Sequence, residues 1–340
     1  MTGPLAVVTG VGVLSATGTA PVDVTGMYEE MLPHPNAMVM TDFQVRAELG
    51  RKGTSFFDRA TALTVVACGR ALRDITVTPE TSPRLGIVFG TTFGSLKSTM
   101  DYSRETLVAD KPYLVNPVLF PNTVMNCVSG QAAIWFGLRG VNATIAGGPL
   151  AFLQALRYAL ASLRRDAVDR VLVGAVEEFT PNTAWASELT GGPSAGEGAA
   201  AFLVERPDRA SGPVSADILG TATAFRASDR PSALGACVRR ALASAGANPD
   251  DVAVAAVGDD QETDAVIDVL GHKPDLIAVT DELGDCRAAG GALGLAAVLA
   301  GFAEGRHRSG SLALLTGHSA DGAVAAAVVR GWHHGGTDRG

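Results

Sequence analysis

Two successive series of short Val-, Ile- and Leu-rich segments, each interleaved with longer stretches of helical apolar spacing, restrict this chain to alternating α/β layers. In the first series, strands are expected at 5–10, 85–89, 143–146, 169–176 and 199–205, with helices at 59–74, 95–107, 124–138 and 150–164. Residues 206–213 (RPDRASGP) then turn polar and Pro-rich, which marks a boundary. The second series has strands at 214–221, 252–257, 275–279, 311–315 and 323–329, with helices at 230–245, 263–270 and 288–302. Each series runs strand–helix–strand around a central apolar helix. The expected division is an N-terminal half at 1–208, a C-terminal half at 209–330 and a frayed tail at 331–340.

Composition narrows the function classes. Apolar residues make up 47% of the 340 and charged ones 18%, ample for a large core and incompatible with disorder. A net charge of −8 gives no basic face for nucleic acid. The apolar start at 5–14 has no preceding basic residue, the first being Arg46, so no export signal is expected. The weakly polar run 288–303 is too short for a membrane helix, which needs about 20 residues. Cys68, Cys127, Cys237 and Cys286 show no C-x-x-C spacing and read as reduced thiols of a cytoplasmic protein. No H-x-x-x-H pair offers a metal site, and no metal or cofactor is expected.

Residues 9–18 (TGVGVLSATG) invite a dinucleotide-binding reading, but G-x-G-x-x-G would need glycine at Ser15, and no acidic residue follows at the next strand end. The glycines are expected to relieve a tight strand-to-loop turn. Other segments carry more information: AVVTGVGV at 6–13, FDRA at 57–60, PNTVMN at 121–126, GQAAIWFGLRG at 130–140, GAVEE at 174–178, GEGAAAFLVE at 196–205, and Gly284 followed by AGGAL at 289–293. In this order they resemble the β-ketoacyl synthases, of thiolase fold. The resemblance implies two pseudo-duplicated α/β halves stacked as α-β-α-β-α layers, and a dimer in which a strand of each partner pairs across the two-fold.

That family's chemistry needs a cysteine at a helix N-terminus, to take the acyl chain as a thioester, and two histidines that assist malonyl decarboxylation. Here all three places are degenerate. The family's cysteine place falls on Pro149, which suits a helix start but offers no nucleophile. The segment that should read K-S-x-x-G-H is TDELGD at 280–285, so Thr280 stands for the lysine and Asp285 for one histidine. The other histidine should follow strand 252–257, where the chain reads GDD. No catalytic residue is therefore assigned.

Such an inactivated synthase resembles the chain length factor of type II polyketide synthases. The resemblance implies a silent subunit that pairs with a cysteine-bearing ketosynthase, meets acyl carrier protein through the complex, and shapes the polyketide tunnel. It places the partner interface at Met125, Val128, Ala132, Trp135 and Thr144. It places the tunnel lining at Leu96, Thr99, Met100, Ser103 and Leu107, which recur on one helical face. Thr99 and Ser103 are small for that face, which suggests a long or straight acyl chain of the polyene, highly reducing type. Cys127 and Cys286 are the candidates for a substitute nucleophile in the alternative, a divergent acyltransferase. Glu177 and Glu178 are expected to bond loop backbone. Arg157, Arg164, Arg165 and Arg170 could face an acidic carrier protein or simply solvent. A third possibility is a structural homodimer of the same fold with no tunnel.

Overall fold

A computed structural model describes residues 3–17, 20–28, 31–226 and 230–333. The first half contributes β1 (Ala6–Ser15), β2 (Leu85–Thr91), β3 (Asn142–Ala146), β4 (Arg170–Glu177) and β5 (Gly198–Glu205), arranged β1-β5-β4-β2-β3. The second contributes β6 (Ala216–Phe225), β7 (Val252–Val257), β8 (Asp275–Ala278), β9 (Leu312–His318) and β10 (Ala323–Gly331), arranged β6-β10-β9-β7-β8. In each half the first and fourth strands flank the fifth in antiparallel pairings. The remaining two pairings of each half are parallel. Identical order and polarity make the halves a structural duplication. A short antiparallel contact of β1 with β6, over Ala6 to Val8, links the two sheets.

Besides a single short helix at Val45–Leu49, the helices among the described residues are α1 (Arg59–Ala71), α2 (Leu96–Val108), α3 (Cys127–Phe136), α4 (Ala151–Arg164), α5 (Pro181–Thr190), α6 (Arg230–Ala245), α7 (Asp260–Leu270), α8 (Val279–Leu283) and α9 (Gly290–Ala303). Apolar side chains of α4 and α9 share one buried cluster with strands of both sheets, so these helices form the middle layer. The opposite face of the first sheet packs on α1 and α3, and that of the second on α6 and α7. The result is the expected five-layer thiolase-like stack. In the middle layer Phe152 of α4 meets Phe202 of β5, ring centroids 5.6 Å apart.

Several boundaries move, each for a local reason. β1 runs through Gly10 and Gly12 to Ser15, so these glycines relieve no turn. They lie where α1 crosses the strand closely: a Cβ on Gly10 would sit 2.0 Å from the Ala71 carbonyl oxygen, and one on Gly12 2.0 Å from that of Ala67. α3 starts at Cys127, after a Pro-containing 3-10 stretch, and ends at Gly137, whose φ of 67° is left-handed. α5 was not foreseen; Thr180 caps it, accepting from the Thr183 N–H, and Pro181 occupies its first turn. α7 begins three residues early because Asp259 accepts a bond from the Glu262 N–H at 2.9 Å. β9 continues past its apolar run to His318, in register with Val324. The tail is held at its start: Gly331 belongs to β10, and the Trp332 indole donates to Asp217 at 3.1 Å. Its part from 334 onward lies outside the described residues.

Candidate functional site

Two sequence motifs explain each other structurally. Asp58 caps α1 by accepting from the Thr61 N–H at 2.8 Å. Its neighbour Arg59 donates from Nε to Glu197 at 2.7 Å, which ties the FDRA segment to GEG. Glu197 is fully buried and also accepts from the Met40 N–H. Asn122 of PNTVMN donates to the Phe56 carbonyl at 2.9 Å. These contacts hold the loops that lead to the ends of the strands.

At the ends of β7 and β9, beside the N-termini of α4 and α9, lies a cavity of about 260 Å³. Pro149, Thr280 and Asp285 all line it, so positions nominated from separate segments converge on one space. Pro149 stands in the 3-10 turn Gly148–Leu150 that leads into α4. Asp285 accepts from the Arg287 N–H at 2.8 Å, and its other oxygen is 4.0 Å from the Arg287 guanidinium. Arg287 has a φ of 43° and donates to the Thr183 carbonyl and the Ser187 hydroxyl.

The cavity is not without a histidine. His318, carried in by the extension of β9, bonds through Nε2 to Asp259 Oδ2 at 2.7 Å. Thus the neighbourhood after β7, read from sequence as lacking imidazole, receives one from an adjacent strand. Glu262 is buried next to this pair, accepting from the Gly258 N–H at 2.8 Å and the Thr316 hydroxyl at 2.7 Å. Burial raises its pKa against those two bonds. For Asp259, burial pushes upward, but the Glu262 N–H and His318 outweigh it and hold the carboxyl below its ordinary value.

Neither candidate thiol is activated. The Cys286 Sγ lines the cavity but lies against the Leu283 carbonyl at 3.6 Å, and burial raises its pKa far above the ordinary thiol range. Cys127 faces Asn122 Oδ1 at 3.4 Å, and burial likewise raises it. A thiolate is the reactive form, so both are poor nucleophiles.

Glu177 and Glu178 act as their spacing suggests, bonding loop and helix termini. Glu177 accepts from the Thr92 hydroxyl at 2.6 Å, and Glu178 from the Ser95 hydroxyl and the Lys97 N–H, both at 3.1 Å. Glu178 therefore sits at the N-terminus of α2. Burial raises Glu177 to about 7; burial, with repulsion from Asp58, raises Glu178 to about 8. Below the ordinary value near 4.5 both are protonated in folded and unfolded chains alike, so no stability is lost. Between about 4.5 and the folded values of about 7 and 8 the unfolded chain ionises these carboxyls while the folded chain keeps them protonated, so stability falls over that range and levels off above it. Thermal melting is expected to drop between about pH 5 and pH 8, by the equivalent of a few kcal/mol, and to level off above. Glu178→Gln should flatten much of that slope; an unchanged slope would mean another group sets it.

The expected interface residues divide. Met125 is 50% exposed, but Val128 and Ala132 are buried in the chain's own core, against α1 and the first sheet. The expectation that those two face a partner is corrected: α3 is apolar on both sides, and they lie on its inner side. Trp135 packs on Phe57, and Thr144 exchanges a hydrogen bond with Ser129 at 2.6 Å. The outward residue is Ile134, 76% exposed, which sequence reading missed.

None of Leu96, Thr99, Met100, Ser103 and Leu107 lines the cavity. They run along α2 instead, where Met100, Ser103 and Leu107 are exposed and only Ser98 is buried. The Ser103 hydroxyl bonds back to the Thr99 carbonyl at 2.7 Å. Among the described residues eighteen large apolar side chains are exposed, and ten of them fall between 100 and 134. Beside this band β3 forms the edge of the sheet, and an open cleft of about 610 Å³ separates it from the 123–126 segment. Arg157, Arg164 and Arg165 are exposed along α4, while Arg170 pairs with Glu205 at 2.7 Å. No helix among the described residues is long and apolar enough to cross a membrane.

Residues 18–195 match the family model for the N-terminal domain of β-ketoacyl synthases. The 3-oxoacyl-[acyl-carrier-protein] synthase 2 of Vibrio cholerae is 27% identical over 233 residues, covering 62% of this chain and 53% of that protein. Its Vibrio harveyi counterpart is also 27% identical, covering 61% and 52%. The chain thus spans about half the length of the curated relatives it matches. Among solved structures, the ishigamide ketosynthase/chain length factor superposes with a TM-score of 0.84 at 30% identity, covering 96% of this chain and 99% of that one. A type II polyketide synthase ketosynthase, in complex with its acyl-carrier protein and bound to the hexaketide, shares the fold. It has a TM-score of 0.82 at 17% identity, covering 97% of this chain and 100% of that one.

Proposed function

The chain belongs to the β-ketoacyl synthase family, and from that premise we propose that it is a catalytically silent subunit acting as a chain length factor. The observation that carries this reading is the convergence of Pro149, Thr280 and Asp285 on one cavity. Where family chemistry requires a thiolate and an imidazole, the chain offers a proline and a carboxylate. A carboxylate would repel a developing enolate instead of stabilising it. All four cysteines are buried and free, which speaks against the alternative of a divergent acyltransferase with a substitute thiol.

A silent subunit needs an active partner. The exposed apolar band between 100 and 134, continuous with the open edge of β3, supports docking of a cysteine-bearing ketosynthase there. Apolar surface on this scale marks a protein interface more often than a free surface. Acyl carrier protein would then deliver substrate to the assembled pair. The face of α2 would contribute to the tunnel wall, with the short side chains of Thr99 and Ser103 leaving room for a long, straight chain of the polyene type.

Co-expression with the candidate ketosynthase, followed by product analysis, tests the proposal. The two chains should co-purify, and a thiol-directed acyl probe should label only the partner. Specific acylation of this chain would establish the acyltransferase alternative, and a stable homodimer that ignores the ketosynthase would remove the pairing. In the reconstituted pair, Ser103→Phe or Thr99→Phe should shorten the product without preventing assembly. Unchanged length in both variants would exclude α2 from the ruler.

A further inference from the structure

Asp259, Glu262 and His318 lie on the cavity wall, and one donor atom from each falls within 4.8 Å of the others. They come from different elements: Asp259 precedes α7, Glu262 stands in its first turn, and His318 ends β9. We propose that this trio is a divalent transition-metal site, suited to Zn²⁺, on the wall of that cavity. The inference is independent of the silent-subunit reading.

Helix capping accounts for only part of the trio. Asp259 uses Oδ1 to accept from the Glu262 N–H, which leaves Oδ2 for the imidazole at 2.7 Å. Both bonds to Glu262 fall on Oε2, and among the described residues Oε1 has no protein donor. The His318 Nδ1 is buried and has no hydrogen-bond partner. An imidazole held by a carboxylate through one nitrogen, with the other lone pair unmet, is the usual disposition of a metal-ligating histidine and its orienting partner. Charge argues the same way. Neither carboxylate has a lysine or arginine ion-pair partner among the described residues, and the basic group against Asp259 is the imidazole itself. Arg287, the cation on the same wall, is committed to the Thr183 carbonyl, Ser187 and the vicinity of Asp285. Carboxylate and imidazole donors suit zinc and its neighbours, and the cavity has room for water to complete the coordination.

The test uses the full chain without an affinity tag, equilibrated with Zn²⁺, freed of excess metal and measured for metal content and by calorimetric titration. One Zn²⁺ per chain is expected, with a raised melting temperature. Glu262→Gln and His318→Gln should each weaken binding at least about tenfold, and Asp259→Asn by about ten- to a hundredfold. Circular dichroism separates loss of the site from loss of the fold. Cobalt(II) added to the unaltered chain gives a second readout, the visible absorption of a low-symmetry nitrogen- and oxygen-ligated ion. Sub-stoichiometric zinc, binding unaffected by Glu262→Gln and His318→Gln, or a cobalt spectrum identical to that of the free aqueous ion would overturn the proposal. None of these readouts depends on pairing with a ketosynthase, so they leave the proposed function to its own test.

Discussion

On the proposed pairing, replacing Ile134 by arginine is expected to leave the chain folded but to weaken association with the cysteine-bearing ketosynthase at least about a hundredfold. The side chain is 76% exposed, on the face of α3 turned away from Val128 and Ala132. In the isolated chain the change costs little, because surface substitutions usually fall within about 0.5 kcal/mol. In a pair formed through this face, the guanidinium would be buried without a partner, a loss of about 3 kcal/mol or more. Melting of the isolated chain and calorimetric titration with the ketosynthase separate the two effects. Leu189→Arg, on α5 and 80% exposed, is the matching control and should leave association unchanged. Equal affinity for the Ile134 variant and the unaltered chain would move the interface elsewhere.

The case for this face also draws on β3. It pairs with β2 on one side only, so its outer edge presents backbone donors and acceptors, an arrangement that native proteins usually cover. Thr144 anchors the strand to α3 through Ser129, so edge and helix would engage a partner as one surface. The same coupling predicts that a variant disturbing one disturbs the other.

How much of this was legible in the sequence follows from which signals are local. The two series of strands and helices mark the duplicated halves because alternation of apolar runs is a property of neighbouring residues. Counting within motifs found Pro149, Thr280 and Asp285, although only the fold brings them to one cavity. His318 escaped notice because T-G-H extends β9 beyond its apolar run, and strand ends carry little periodic signal. Asp259 and Glu262 do carry one: acid, two residues, acid ahead of an apolar helix is a capping pattern, and it places the start of α7 at Asp260. Val128 and Ala132 were misassigned for the opposite reason. A helix with apolar residues on both sides gives no clue to which face meets its own core and which meets a partner.

Gly12→Val should prevent folding at ordinary growth temperature, and even Gly12→Ala should cost about 3 kcal/mol or more. A Cβ at this position would sit 2.0 Å from the Ala67 carbonyl oxygen and 2.8 Å from the Ala71 nitrogen, both of them backbone atoms. A rotamer change cannot relieve such a clash; α1 would have to lift from β1. That helix cannot lift alone, since Arg59 at its start is bonded to buried Glu197 and its apolar face fills the outer core of the first sheet. Gly10 meets the same helix at the Ala71 carbonyl, so the two glycines together set the strand-to-helix spacing. Far-UV dichroism and urea melting of the alanine variant measure the cost. A loss below about 1 kcal/mol would mean that α1 shifts freely. The T-G-V-G-V opening, which at first suggests a nucleotide-binding turn, then has a packing explanation: the glycines lie within a continuous strand so that a helix can approach its backbone.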